Sequence, residues 1–114
     1  MSIVKIGLID PDTGKFLQVY LDKTPYLVLG NYIGIHAKIF EKFLKIRCVG
    51  FETVRLRGPE FGPSLKGQRY ELVGAGVFDI VDDEISLHGK SGGYNMGPDK
   101  NHAQELSKLA AKKL

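Results

Sequence analysis

The segment NYIGIHAKIFEKFLKI, residues 31–46, constrains this chain more than any other. His36, Ile39, Phe40, Phe43 and Leu44 recur at spacings of three and four, and Lys38, Glu41, Lys42 and Lys45 fall between them. At 3.6 residues per turn the first set forms one apolar stripe and the second a solvated face. The spacing predicts a helix over Tyr32–Ile46, with Asn31 as its cap and His36 in line with the stripe. Such a helix persists only if its stripe is buried against another element.

The flanking segments supply a sheet. Ile3–Asp10 alternates and runs into the turn sequence DPDTGK. Lys15–Leu21 alternates again, with Phe16, Gln18 and Tyr20 on one face and Lys15, Leu17, Val19 and Leu21 on the other. These two segments are expected to pair as a hairpin. After Pro25, YLVLG lacks alternation and reads as a strand buried on both faces. Beyond the helix, Phe51–Arg57 and Gln68–Val73 are strand-like around GPEFGPSLKG, which reads as a loop, and VFDIV and ISLHG flank DDE as a further hairpin. Asn101 with Gln104 resembles a capping box opening a last helix, whose inner face would carry Ala103, Leu106, Leu109 and Ala110. The expectation is a single α/β (α+β-like) domain over residues 1–114. It would have a mixed, largely antiparallel sheet of five to six strands with two helices, in the order β-β-β-α-β-β-β-α.

Composition narrows the function classes. One cysteine, Cys48, allows no internal disulfide and no multi-thiolate zinc cluster. It fits a reducing compartment and is expected to be a small buried apolar residue. No apolar run approaches the roughly 18 residues of a membrane span, and MSIVKIGLID reads as a strand and not a signal peptide. A cytoplasmic protein is therefore expected, with no membrane partner. Asp79, Asp82, Asp83 and Glu84 lack the alternation of a calcium loop, so a solvated turn is the better account and no metal is expected. Net charge is +3 and the pI about 9.0, compatible with an anionic ligand.

The stretch LHGKSGGYNMGPDKNH, residues 87–102, has the composition of an anion site. It is not a Walker A loop: that motif needs a glycine five positions before Gly89, and Glu84 stands there. Nor does Gly74-Ala75-Gly76 open a helix, as a dinucleotide fingerprint requires. What remains is a backbone nest in which Gly92 and Gly93 let amides converge, with Ser91 adding a hydroxyl. The plainer alternative is a flexible turn before the last helix.

Read together, three segments carry a resemblance. They are GKFLQVYL around Lys15, IHAKIFEKF around His36, and Leu87-His88-Gly89-Lys90-Ser91-Gly92-Gly93-Tyr94 followed by Gly97-Pro98-Asp99-Lys100-Asn101-His102-Ala103. In this order and at comparable spacing they resemble the Janus/ocnus family of phosphohistidine phosphatases. The chain departs from that family's pattern at Ile35, where an aromatic is usual, and at Gly92-Gly93, where bulkier residues are usual. It also has two more residues between Tyr94 and Gly97, and no counterpart of the family's final strand is expected within residues 1–114. The region Arg47–Arg69 carries about one strand more, a candidate for the vacant position in the sheet.

The resemblance implies a mixed sheet between two helices and a metal-independent phosphatase without cofactors. Its substrate would be a phosphohistidine-containing protein or a small phosphoramidate. His36 would be catalytic, as general base or as nucleophile. Lys15 would neutralise phosphate oxygens, and Gly89, Lys90, Ser91, Gly92, Gly93 and Tyr94 would form the phosphate loop. His102 is a candidate to hydrogen-bond that loop from the second helix. Two other functions compete: a non-catalytic module binding phosphate or a phosphoprotein through the same loop, and a small nucleic-acid binder using Arg55, Arg57, Lys66 and Arg69. The last ranks lowest because no aromatic stacking platform accompanies those cations.

Overall fold

Two tight turns organise the sheet. A computed structural model describes residues 3–33 and 35–112, with side chains through residue 108. Strand β2 (Thr13–Leu21) turns at Asp22-Lys23 into β3 (Thr24–Gly30), and β6 (Tyr70–Val81) turns at Asp82-Asp83 into β7 (Glu84–His88). All four turn residues have positive φ, at 49°, 68°, 52° and 64°. That is the backbone of the two-residue hairpin turn whose twist matches the strands. Asp22 is held there by Arg69, through bonds of 3.0 and 2.7 Å to its carboxylate and by its own N–H donating to the Arg69 carbonyl at 2.7 Å.

The first hairpin is therefore β2–β3, not a pairing of the first two strands. Strand β1 (Ile3–Ile6) lies parallel to β3, from Ile3 beside Leu27 to Ile6 beside Gly30. The turn expected at DPDTGK is instead a wide connection that leaves room for β3 between β1 and β2. It is tied down by Ile80 N–H donating to the Asp12 carbonyl at 2.7 Å. Pro25 does not interrupt β3. It stands at the second position of the strand, opposite Tyr20, where a missing N–H is tolerated. The sheet order is β1-β3-β2-β6-β7, mixed because β1 and β3 are parallel.

Strand β6 is one element where two were expected. Gly74 and Gly76 do not break it, because neighbours occupy the space their side chains would need. A Cβ on Gly74 would stand 2.0 Å from Gln18 Oε1, and one on Gly76 2.3 Å from the His88 carbonyl oxygen and 2.7 Å from the Phe16 ring. Opposite the first glycine the ladder slips: Gln18 pairs with Gly74 but Val19 with Leu72, leaving Val73 as a bulge. Tyr70 and Leu72 before it and Ala75 after it all reach the same core, whereas Phe78 reaches the other.

Each face of the sheet is covered by one helix. Helix α1 (His36–Ile46) buries Phe40, Phe43 and Leu44 completely against Leu17, Val19, Val28 and Ala75. Each of these side chains contributes about 1.5–3 kcal/mol relative to exposure. On the opposite face Phe16, Leu27, Leu29 and Phe78 form a smaller core, with Leu106 of α2 (Lys100–Lys112) packed on it. The fold is thus α+β, a mixed sheet between two helices.

Four local expectations change. Helix α1 begins at His36, because Asn31 spends its side chain on the Ile33 N–H at 3.2 Å and Ile35 is extended, with φ −87° and ψ 150°. Helix α2 is capped by Asp99, whose carboxylate accepts from the His102 N–H at 2.8 Å, and not by Asn101. Leu109 and Ala110 have side chains outside the described ones. The Gly-Pro stretch is not all loop: β4 (Thr53–Arg55) and β5 (Phe61–Pro63) form a separate two-stranded sheet, where one strand followed by a loop was expected. This hairpin packs beside α1 and does not enter the main sheet. Cys48 is exposed and not buried, because it takes the left-handed position that ends α1, at φ +56°.

Candidate functional site

The N-terminus of α1 opens onto the sheet at the point where the helix stops covering it. Lys15 of β2 and Val77 of β6 are register partners there. The loop after β7 closes the third side and the β4–β5 hairpin the fourth. Together they enclose a cleft of about 310 Å³. Lys15, His36, Lys90, Ser91, Gly92, Gly93 and Tyr94 all line it, although they come from three distant segments.

His36 is the first helical residue and is only 8% exposed. Its Nε2 lies 2.8 Å from the Gly76 carbonyl oxygen. A carbonyl only accepts, so in the neutral ring Nε2 carries the proton and Nδ1 keeps its lone pair. Among the described residues Nδ1 has no hydrogen-bond partner. Burial holds the ring's pKa below the ordinary 6.5, and the nearby Lys15 ammonium acts in the same direction; the Gly76 carbonyl and the Glu60 carboxylate oppose them in part. The result is a neutral imidazole near pH 7, its free nitrogen available as a base or nucleophile.

The loop is more tightly built than its glycine content suggests. Ser91 N–H donates to the Met96 carbonyl at 2.8 Å, and Tyr94 N–H donates to Ser91 Oγ at 3.2 Å. Those two amides are committed. The amides of Gly92 and Gly93 bond to nothing among the described residues, and the Ser91 hydroxyl proton is still available. Tyr94 is structural: its hydroxyl donates to the Pro63 carbonyl at 3.1 Å, and its ring meets Phe40 edge-on at 6.2 Å. Burial pushes its phenol pKa well up. Lys90 is exposed at the rim, and Gly89, with φ +69°, sets the turn out of β7. Lys15 is half-buried, its ammonium 6.0 Å from the centre of the Tyr32 ring.

Two features of the cleft went unread in the sequence. One is the uncapped start of α1. No side chain caps it, and the N–H groups of His36 and Ala37 have no acceptor among the described residues. Unpaired amides at a helix start favour an anion. The other is Glu60, half-buried on the cleft wall. Its signal was hidden because it lies in the Gly-Pro stretch that reads as loop.

His102 does not reach the loop. It is fully buried on the α2 side of the sheet, Nε2 donating to the Val19 carbonyl at 3.1 Å and the ring edge-on to Tyr20 at 5.0 Å. Its Nδ1 has no partner among the described atoms, and burial holds its pKa below 6.5. His88 pairs with Asp79 at 2.5 Å, so Asp79 is engaged and not merely solvated.

Two larger depressions, of about 680 and 570 Å³, share Gly67, Gln68, Arg69 and Tyr70. Both are open, and neither is lined by a histidine. Of the four cations that suggested nucleic acid, Arg69 pairs with Asp22 at 2.7 Å and Lys66 with Glu71 at 3.3 Å. Arg55 donates to the Gly58 carbonyl at 3.3 Å and Arg57 to Asn95 at 3.4 Å. Among the described residues no three His, Cys, Asp or Glu side chains stand together to hold a metal ion, and no helix is long and apolar enough to cross a membrane. Set against models of protein families, curated proteins and solved structures, the chain finds no match.

Proposed function

We propose that this protein is a phosphoramidate hydrolase acting on phosphohistidine in proteins, without a metal. The observation that carries this reading is the meeting of Lys15, a neutral His36 and the free amides of Gly92 and Gly93 in one cleft. The phosphoryl group sits at the α1 N-terminus, its oxygens on the His36, Ala37, Gly92 and Gly93 amides, with Lys15 and the Ser91 hydroxyl completing the shell. These fixed donors hold charge as it develops on the oxygens during transfer. His36 Nδ1 takes the proton of the attacking water. The Gly76 carbonyl keeps the ring in the tautomer this needs.

Phosphate release from phosphohistidine, compared between the wild type and His36→Ala, tests the reading. Release by the wild type and its loss in the variant are expected; undiminished release in the variant overturns the role of His36. Phosphate binding without turnover by the wild type would instead favour a non-catalytic phosphate-binding module. The cytoplasm suits the hydrolase, since phosphohistidine arises where ATP is present and the exposed Cys48 thiol persists in a reducing compartment.

A further inference from the structure

A carboxylate in a phosphate cleft is out of place unless it serves the other end of the substrate. Glu60 is such a group. It is presented by the turn of the β4–β5 hairpin, fixed by Leu56 N–H donating to the Glu60 carbonyl oxygen at 2.8 Å. Among the described residues its carboxylate has neither an ion pair nor a hydrogen bond. It points at the loop: a Cβ on Gly93 would stand 2.5 Å from Glu60 Oε2. The missing side chain at position 93 is therefore what admits the carboxylate. Its charge also reaches the His36 ring.

We propose that Glu60 is a specificity residue, accepting a hydrogen bond from the N–H of the leaving nitrogenous group and so selecting phosphoramidates over phosphate monoesters. This rests on the hydrolase reading above. In a phosphohistidine whose ring is protonated on the distal nitrogen, that N–H bonds to the Glu60 carboxylate, which favours the cationic ring. Water oxygen bonds to phosphorus while its proton passes to His36 Nδ1. The P–N bond breaks, its electron pair returns to the proximal nitrogen, and a neutral imidazole leaves with the distal N–H still on Glu60. Glu60 itself neither gains nor loses a proton. A phosphate monoester offers no N–H at this point, and its anionic leaving oxygen is repelled by the carboxylate.

The test compares kcat/KM on phosphoimidazole and on p-nitrophenyl phosphate for the wild type, Glu60→Gln and Gly93→Ala. In Glu60→Gln the ratio of the two is expected to fall by about tenfold or more, the size of one charge-assisted hydrogen bond, with activity on the monoester rising. Gly93→Ala keeps its amide but displaces the flexible end of Glu60, so it should lower the ratio in the same direction. A ratio unchanged in both variants, in a wild type that hydrolyses phosphoimidazole, overturns the role of Glu60 and leaves the hydrolase reading intact. A wild type that hydrolyses neither compound overturns both.

Discussion

The Gly76 carbonyl oxygen sits 2.8 Å from His36 Nε2, so a strand 40 residues further along the chain decides which nitrogen of the helix-start histidine is free. This bond depends on Gly76 remaining a glycine. A Cβ there would collide with the His88 carbonyl oxygen and the Phe16 ring. Gly76→Ala is expected to cost about 2–3 kcal/mol in urea unfolding, as overpacking of a filled site does. Gly92→Ala, with nothing within 4 Å of the added atom, should stay within about 0.5 kcal/mol of wild type. Equal stability of the two variants would show that the strand yields at position 76.

Both buried histidines, His36 and His102, have native pKa values lowered chiefly by burial. In the unfolded chain each titrates near the ordinary value of about 6.5. Below that pH the unfolded state binds more protons than the native one, so stability rises with pH through this window and is lost as pH falls below about 6.5. It should be level in the histidine contribution above about pH 7.5. Urea midpoints near pH 5, 6 and 7.5 measure this. His36→Gln and His102→Gln should each flatten the slope between the two acidic points.

Gln18 closes a two-bond clamp on the start of α2. Its Oε1 accepts from Asp99 N–H at 2.7 Å and its Nε2 donates to the Asp99 carbonyl at 2.9 Å. Gln18→Ala removes both bonds from a fully buried side chain and should cost about 2–3 kcal/mol. Hydrogen exchange should show the amides of residues 99–103 opening before those of α1. Uniform loss of protection would mean that α2 is held by its apolar face alone.

Lys15 is the cation deepest in the cleft. Lys15→Ala should lower kcat/KM on phosphoimidazole about 10²-fold, as removal of one transition-state donor does. Lys90→Ala, at the exposed rim, should change it by less than threefold or so. Phosphate-release assays on the two variants compare them, and a larger loss in Lys90→Ala would reverse the assignment.

The sequence was legible where one local rule governed the outcome. The stripe from His36 to Leu44 is the buried face of α1. The DDE segment is the turn between β6 and β7, although neither residue with positive φ is a glycine. It was illegible where a distant partner overrode the local signal. The DPDTGK turn loses its expected strand partner because β3 pairs with both β1 and β2. Gly74 and Gly76 look like breaks until Gln18 and Phe16 are seen to fill the space above them. In the cleft, Lys15, His36 and the glycine loop could be guessed as a set, but the free amides of α1 depend on Asn31 turning elsewhere. Glu60 depends on a two-stranded sheet that residues 58–67 do not announce.

The bulge at Val73 acts as a phase shift. Residues 70 and 72 and residues 75 and 77 point to the same side of the sheet only because one residue between them goes unpaired. With Val73 paired in the ladder, every side chain from 74 onward would invert: Phe78 would project into the cleft, and Val77 would be lost to the opposite face. The cleft thus depends on residue 73 staying out of the ladder. A chain shorter by Val73 would pair regularly across this point and keep residues 75 and 77 on the cleft side, whereas one residue more there, paired in the ladder, would turn them away.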